Sequence, residues 1–355
     1  MSKVLMKGNE AIARAAINAG CECYFGYPIT PQNEIGEFMS QEMIKLGKTY
    51  ISAESELAAV NMLIGACSTG IPAMTSSSSC AIALMQEAIS SMATAQIPGV
   101  IISVMRAGPG LGDITPSQAD YFQSVKGGGN GDYKTIVLAP STINEAVELT
   151  HKTFYLAMKY RNPAMLLADG ILGQMMEPVE MSDNLPKLPD TSSWALNGTG
   201  EGKNYRKARS LMSLHMGEDR LERLNHELFR KYAQIQKEEV MYEKYLADDA
   251  DILITAFGTV ARVAKSAVEK ARKEGVKVGL FRPVTLWPFP QEQLKNCAKN
   301  TKIVLDIELN MGQMLEDVKI SLNGCTEVEF FGKQGGAIIN SKEIYNKIME
   351  LKEKI

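Results

Sequence analysis

The 355 residues carry 38 Lys and Arg against 41 Asp and Glu, a balance that excludes the basic stripe a nucleic-acid-binding protein needs. At this length two or three domains and a large core are expected. The opening Met1-Ser2-Lys3-Val4-Leu5-Met6-Lys7-Gly8 has neither the apolar core nor the cleavage site of a signal peptide, and no segment reaches the ~20 apolar residues of a spanning helix, so a cytoplasmic protein is expected.

In chain order, Ala11 to Asn18 reads as a helix closed by Gly20, followed by a strand at Cys23–Tyr27. In the stretch Gly26-Tyr27-Pro28-Ile29-Thr30-Pro31, Thr30 reads as the N-cap of a helix that begins at Pro31 and runs to about Leu46, with Glu34 in its first turn. Strands at Thr49–Ala53, Ala73–Ser76, Val100–Met105, Ile136–Ala139 and Ala164–Ala168 alternate with helices at Ser55–Thr69, Ile82–Ala95 and Ile143–Lys159. Strands separated by helices predict a mainly parallel sheet covered on both faces. Between Arg106 and Tyr133 the alternation breaks into a loop with two glycine-rich runs, 107–113 and 126–133. These glycines serve either an anion or a closing lid, or only a mobile surface turn.

Residues 176–249 read as a connector, proline-bearing at first, then Gly/Ser/Asn-bearing, then a charged helix through Leu211–Tyr245. From Asp251 a second α/β unit follows. Its strands are Ile252–Phe257, Val278–Arg282, Ile303–Ile307 and Glu327–Phe331; its helices are Val260–Lys273, Gly312–Leu322 and Ser341–Lys354. Neither unit opens on a nucleotide-binding glycine fingerprint. Cys21 and Cys23 share a face of a strand and read as buried free thiols, and the scattered cysteines and three histidines form no ligand pattern, so neither zinc nor an iron–sulfur cluster is expected on this chain.

Three groups of residues at strand ends carry candidate chemistry. Glu54-Ser55-Glu56 stands before an apolar helix, where a carboxylate either complements the helix dipole or acts half-buried as a hydrogen-bonding or acid–base group. Thr75-Ser76-Ser77-Ser78-Ser79-Cys80 offers hydroxyls and amides at a helix start. Arg106 ends a buried strand, placed either to fork onto a ligand carboxylate or to form a structural salt bridge.

Taken in order, Gly8-Asn9-Glu10-Ala11-Ile12-Ala13, Tyr27-Pro28-Ile29-Thr30-Pro31, Glu54-Ser55-Glu56, Thr75-Ser76-Ser77-Ser78-Ser79, Met85-Gln86-Glu87, Met105-Arg106-Ala107-Gly108-Pro109-Gly110 and Lys126-Gly127-Gly128-Gly129-Asn130-Gly131-Asp132-Tyr133 resemble the alpha-type subunit of the 2-oxoacid:ferredoxin oxidoreductases. The triple-glycine run inclines the likeness toward the member acting on 3-methyl-2-oxobutanoate (2-oxoisovalerate). The resemblance implies a pyrimidine-type, thiamine-diphosphate-binding, doubly wound α/β domain over residues 1–175. After the connector, a transketolase C-terminal-like α/β domain follows over 250–355, with Asp306-Ile307-Glu308-Leu309-Asn310-Met311-Gly312-Gln313 as its recognisable run and assembly as its role. Position by position, Glu56 matches the glutamate that hydrogen-bonds the aminopyrimidine ring. Thr30 matches the threonine that touches the substrate, and Arg106 the arginine that meets its carboxylate. Ser76 or Ser77, with Pro28 and Ile29, would lie against the cofactor.

Members of that family decarboxylate a 2-oxoacid oxidatively, pass the acyl group to coenzyme A and send electrons to ferredoxin. The diphosphate and magnesium motif and the cluster cysteines are missing from this sequence. The resemblance therefore implies that thiamine diphosphate is shared with a beta-type subunit carrying magnesium, that iron–sulfur clusters sit on ferredoxin-like and gamma-type partners, and that the whole is a dimer of heteromers in anaerobic metabolism. The competing readings are the same chemistry on 2-oxoglutarate or pyruvate, and a noncatalytic assembly subunit.

Overall fold

A computed structural model describes residues 3–181, 185–199 and 207–355. The chain opens with β1 (Val4–Lys7), α1 (Gly8–Asn18), β2 (Cys23–Gly26), α2 (Asn33–Lys45), β3 (Thr49–Ser52), α3 (Glu56–Ser68), β4 (Ala73–Ser77), α4 (Ser79–Thr94) and β5 (Val100–Ala107). After β6 (Asp113–Pro116) and α5 (Tyr121–Val125) come β7 (Ile136–Leu138), α6 (Ile143–Tyr160), β8 (Ala164–Asp169), α7 (Gly170–Gln174) and β9 (Met176–Val179). The remainder is α8 (Arg220–Glu238), β10 (Tyr242–Tyr245), β11 (Ile252–Thr255), α9 (Gly258–Lys273), β12 (Val278–Pro283), β13 (Thr285–Trp287), α10 (Gln291–Cys297), β14 (Ile303–Glu308), α11 (Met314–Leu322), β15 (Glu327–Gly332) and α12 (Ser341–Lys354).

The first sheet has the order β13-β7-β8-β5-β4-β2-β3, with β6 added antiparallel on β5. From β7 to β3 all neighbours are parallel. Every residue of β5 is buried, and α1 packs on α2 and α6 while α3 packs on α4, which gives the covered parallel sheet its continuous apolar strands. The second sheet, β10-β12-β11-β14-β15, is parallel except at β10. It has its own core of Ile252, Ile254, Val268, Leu305, Ile344 and Ile348, among others.

Three readings of the sequence are corrected, and one stretch it left unassigned forms a strand. The second helix starts at Asn33, and Thr30 does not cap it. Pro31 cannot open that helix because its carbonyl accepts from Asn9 Nδ2 (2.8 Å) and Gln174 Nε2 (3.1 Å), leaving Gln32 to take the first helical amide, that of Ile35. The loop after Arg106 contains β6 and α5, and β5 itself runs on to Ala107. The charged helix is shorter than its pattern, because Tyr242–Tyr245 leaves it to pair with β12. Finally, Thr285–Trp287, between prolines in the second unit, crosses over and pairs with β7 of the first sheet. The 200–206 part of the Gly/Ser/Asn-bearing stretch and Met1-Ser2 lie outside the described residues.

Candidate active site

The carboxyl ends of β3, β2, β4 and β5, which neighbour one another in that order, form one edge of the first sheet. Each leads into a candidate residue. After β3, Ser55 Oγ accepts from the amide of Ala58 (3.2 Å) and starts α3, so that Glu56 becomes its first residue, 8% exposed. No hydrogen bond or ion pair among the described residues reaches the Glu56 carboxylate. It therefore stands half-stripped of water with its acceptors open, a state in which an arriving donor is worth more than it would be in solvent.

After β2, Thr30 is partly exposed, and its hydroxyl accepts weakly from Asn33 Nδ2 (3.4 Å). Its carbonyl accepts from Arg106 Nη1 (3.1 Å), which joins the ends of β2 and β5. Arg106 is 8% exposed. Its Nη2 donates to the Leu111 carbonyl (2.9 Å) and contacts Cys80 Sγ (3.0 Å), while its buried Nε has no acceptor. No carboxylate lies within ion-pair distance of this guanidinium among the described residues. A buried cation without an anion is costly in the absence of a ligand. An N–H left free on a planar fork is the feature a carboxylate would engage.

The two serines of β4 differ. Ser76 is fully buried, donating to Gln32 Oε1 (2.6 Å) and sharing a 2.7 Å hydrogen bond with the Tyr24 hydroxyl. The alternation of a strand sends it to the opposite face from Ser77. Ser77 Oγ and Ser78 Oγ are buried without partners among the described residues. Pro28 is exposed and Ile29 partly so; Pro28, with Tyr27, Gln32, Tyr50 and Ser52, lines a cavity of about 250 Å³ at the ends of β2 and β3. The orphaned carboxylate of Glu56 and hydroxyl of Ser77 on this edge fit a ring that offers both donors and acceptors, as an aminopyrimidine does.

The triple-glycine run is neither an anion cradle nor a free lid. The amides of Gly128 and Gly129 point at the Tyr133 hydroxyl (3.3 and 3.0 Å), and Gln86 Oε1 accepts from both Gly128 N and Tyr133 OH, each at 3.1 Å. Ser90 Oγ donates to the Asn130 carbonyl (2.8 Å), so the loop is tied to the flank of α4.

A larger cavity of about 670 Å³ opens beside Arg106, lined by Cys80 and Ala83 of α4, Pro109 and Gly110, and Asn310 and Met311 of the second unit. Its polar groups include Cys80, Ser79 and Asp120, of which the sequence did not single out Asp120, 8% exposed and without a basic partner among the described residues. Ser79 and Cys80 were visible as the end of the serine run. Asp120 follows no periodic signal at all.

The family described as "Pyruvate flavodoxin/ferredoxin oxidoreductase, thiamine diP-bdg" matches residues 14–241, and "Pyruvate:ferredoxin oxidoreductase core domain II" matches 250–344. The chain is 46% identical over 352 residues to the ketoisovalerate oxidoreductase subunit VorB of Methanothermobacter marburgensis, covering 99% of this chain and 98% of that one. It is 33% identical over 368 residues to the 2-oxoglutarate synthase subunit KorA of Methanocaldococcus jannaschii, covering 98% and 100%. Among solved structures, 2-oxoglutarate:ferredoxin oxidoreductase from Magnetococcus marinus, with 2-oxoglutarate, coenzyme A and succinyl-CoA bound, superposes with a TM-score of 0.89 at 23% identity. That superposition covers 98% of this chain and 65% of the other. A split-gene transketolase, as an inactive beta4 tetramer, gives 0.60 at 11% identity, with 97% of both chains covered.

Proposed function

The chain belongs to the pyruvate flavodoxin/ferredoxin oxidoreductase family, and we propose that it is the subunit of a 2-oxoacid:ferredoxin oxidoreductase that holds the pyrimidine end of thiamine diphosphate and the carboxylate of the 2-oxoacid. The observation that carries the reading is Arg106: buried, unpaired with any carboxylate among the described residues, with Nε free, and bonded to the backbone of Thr30.

When bound, thiamine diphosphate supplies the electron sink for loss of carbon dioxide from the 2-oxoacid. The chain's own residues prepare for it. Glu56 would hydrogen-bond a ring nitrogen, fixed in place because Ser55 starts its helix. The Ser77 hydroxyl and the backbone at Pro28 and Ile29 would lie against the ring. Arg106 would receive the substrate carboxylate on its free Nε–H, its other edge being tethered to Thr30 and Leu111, and the Thr30 hydroxyl would stand beside the substrate. Holding both reactants by such fixed groups converts the encounter into an effectively intramolecular one.

Thiamine diphosphate is shared, in this reading, with a beta-type subunit that carries the diphosphate and magnesium. Ferredoxin-like and gamma-type subunits bring the iron–sulfur clusters, ferredoxin takes the electrons, and coenzyme A takes the acyl group, in a dimer of heteromers. The substrate is 3-methyl-2-oxobutanoate. In support, the relative at 46% identity is named for ketoisovalerate. The complex copurified from its native host and assayed for viologen reduction with a panel of 2-oxoacids tests this. We expect the highest kcat/KM with 3-methyl-2-oxobutanoate; a preference for 2-oxoglutarate or pyruvate would reassign the substrate, and no activity with any of them would refute the function.

A further inference from the structure

We propose that Asp120 is a positioning residue for Arg106, acting through the hydroxyl of Ser79. The inference rests on the reading of Arg106 as the substrate-carboxylate contact. Ser79 is the first residue of α4, with φ at +26°, a backbone conformation that non-glycine residues seldom hold unless the surroundings impose it. Its Oγ accepts from the backbone amide of Arg106 (2.9 Å) and donates to Asp120 Oδ2 (2.5 Å). The next residue, Cys80, touches the Arg106 guanidinium (3.0 Å). One serine–cysteine step thus grips Arg106 at both its main chain and its side chain, and Asp120 is the group that fixes the serine.

The carboxylate is not placed there for stability. It is buried, lines the 670 Å³ cavity and makes no ion pair among the described residues, a combination that costs free energy. Its position in the connection between β6 and α5 is held from the second unit. Gln118 N donates to the Leu309 carbonyl (3.0 Å), Asn310 Nδ2 to the Gln118 carbonyl (2.8 Å) and Gln313 Nε2 to the Ala119 carbonyl (2.7 Å), while Phe122 N donates to Gln313 Oε1 (2.8 Å). The donating loop is itself locked, because the buried Glu308 carboxylate accepts from the amides of Met314 (2.9 Å) and Leu315 (3.0 Å) and from Asn310 Nδ2 (2.8 Å). A continuous set of hydrogen bonds therefore runs from the second unit through residues 118–122 to Ser79 and Arg106.

The test uses the assembled enzyme. Asp120→Ala deletes the acceptor for Ser79; we expect KM for the 2-oxoacid to rise ~10-fold with kcat changed by less than ~3-fold and KM for coenzyme A unchanged. Asp120→Asn keeps a side-chain oxygen that accepts the same proton, and its KM is expected within ~2-fold of the parent. Ser79→Ala reads the same link should Asp120→Ala fail to assemble, and the double variant is expected to lose no more than Ser79→Ala alone, as coupled residues do. An unchanged KM in Asp120→Ala or in Ser79→Ala, a loss confined to kcat, or an Asn variant as impaired as the Ala variant overturns the relay. Arg106→Ala separates the two ideas: if it raises KM and the Asp120 and Ser79 variants do not, the relay alone falls, whereas an unchanged KM in Arg106→Ala removes the carboxylate contact and the relay with it.

Discussion

At the scale of single residues, the site is marked by polar groups left without partners in a buried edge. Burial pushes the Asp120 carboxyl up from its ordinary 3.8 to about 6, although the hydrogen bond from Ser79 and the nearby charge of Arg106 both work to lower it. The native protein therefore keeps this proton over a range in which the unfolded chain has released it. The stability linked to the group is full at low pH and is lost as pH rises through about 4 to 6. Asparagine carries no charge to desolvate. Asp120→Asn is expected to melt higher than the parent at pH 8, by up to about 3 kcal/mol, with the gap closing below about pH 4. Melting curves of the assembled enzyme across pH check this, and a constant difference at all pH values would contradict it. Asp169, also buried, has its carboxyl raised by desolvation against the hydrogen bond from Thr259, and contributes the same slope in both proteins. Of these residues, Glu56, Thr30 and Arg106 stood out in sequence as candidates because they sit where strands end, and the resemblance alone gave them roles. Asp120 did not, since a lone acid in an irregular segment gives no period, and its meaning arises only from a long-range contact with Ser79.

At the scale of elements, strands and helices were readable wherever an apolar run or a 3.6-residue period was long enough to dominate. What escaped were short or contested pieces. The helix of five residues at Tyr121–Val125 is too brief for a period. The strand at Thr285–Trp287 exists only because β7 lies beside it. The start of α2 was displaced by side chains 22 and 143 residues away that compete for the Pro31 carbonyl. The glycine-rich turn shows the same limit. Its glycines were legible as special, but their reason is close approach to α4: a Cβ on Gly129 would lie 2.6 Å from the Gln86 carbonyl oxygen and 2.7 Å from Ser90 Cβ. Gly129→Ala is therefore expected to lower stability by about 1–3 kcal/mol, because backbone must move, while leaving KM for the 2-oxoacid unchanged. Urea unfolding and steady-state kinetics read the two effects separately; a variant of parental stability with altered KM would place the loop in the site after all.

At the scale of the whole molecule, two sheets that read as separate units both contribute to the proposed site. The first supplies the edge that carries Glu56, Thr30, Ser77 and Arg106. The second, expected from its resemblance to serve assembly, holds residues 118–122 against that edge, with its own buried Glu308 anchoring the loop that does so. Burial raises the carboxyls of both Asp306 and Glu308, and they interact with each other, so the anchor holds a proton that an isolated surface acid would release. The parallel topology was legible from alternation alone; the union of the two units was not, because no local pattern encodes a hydrogen bond between residues 118 and 310. The open cluster of acceptors and donors on the first sheet makes sense when a cofactor ring and a 2-oxoacid fill it, and Glu56 is the group whose role depends most on that. The direct measurement is 2-oxoacid-dependent viologen reduction by the assembled complex carrying Glu56→Gln. A fall of at least ~100-fold in kcat with subunit assembly intact is expected; near-parental turnover would contradict the assigned role of Glu56.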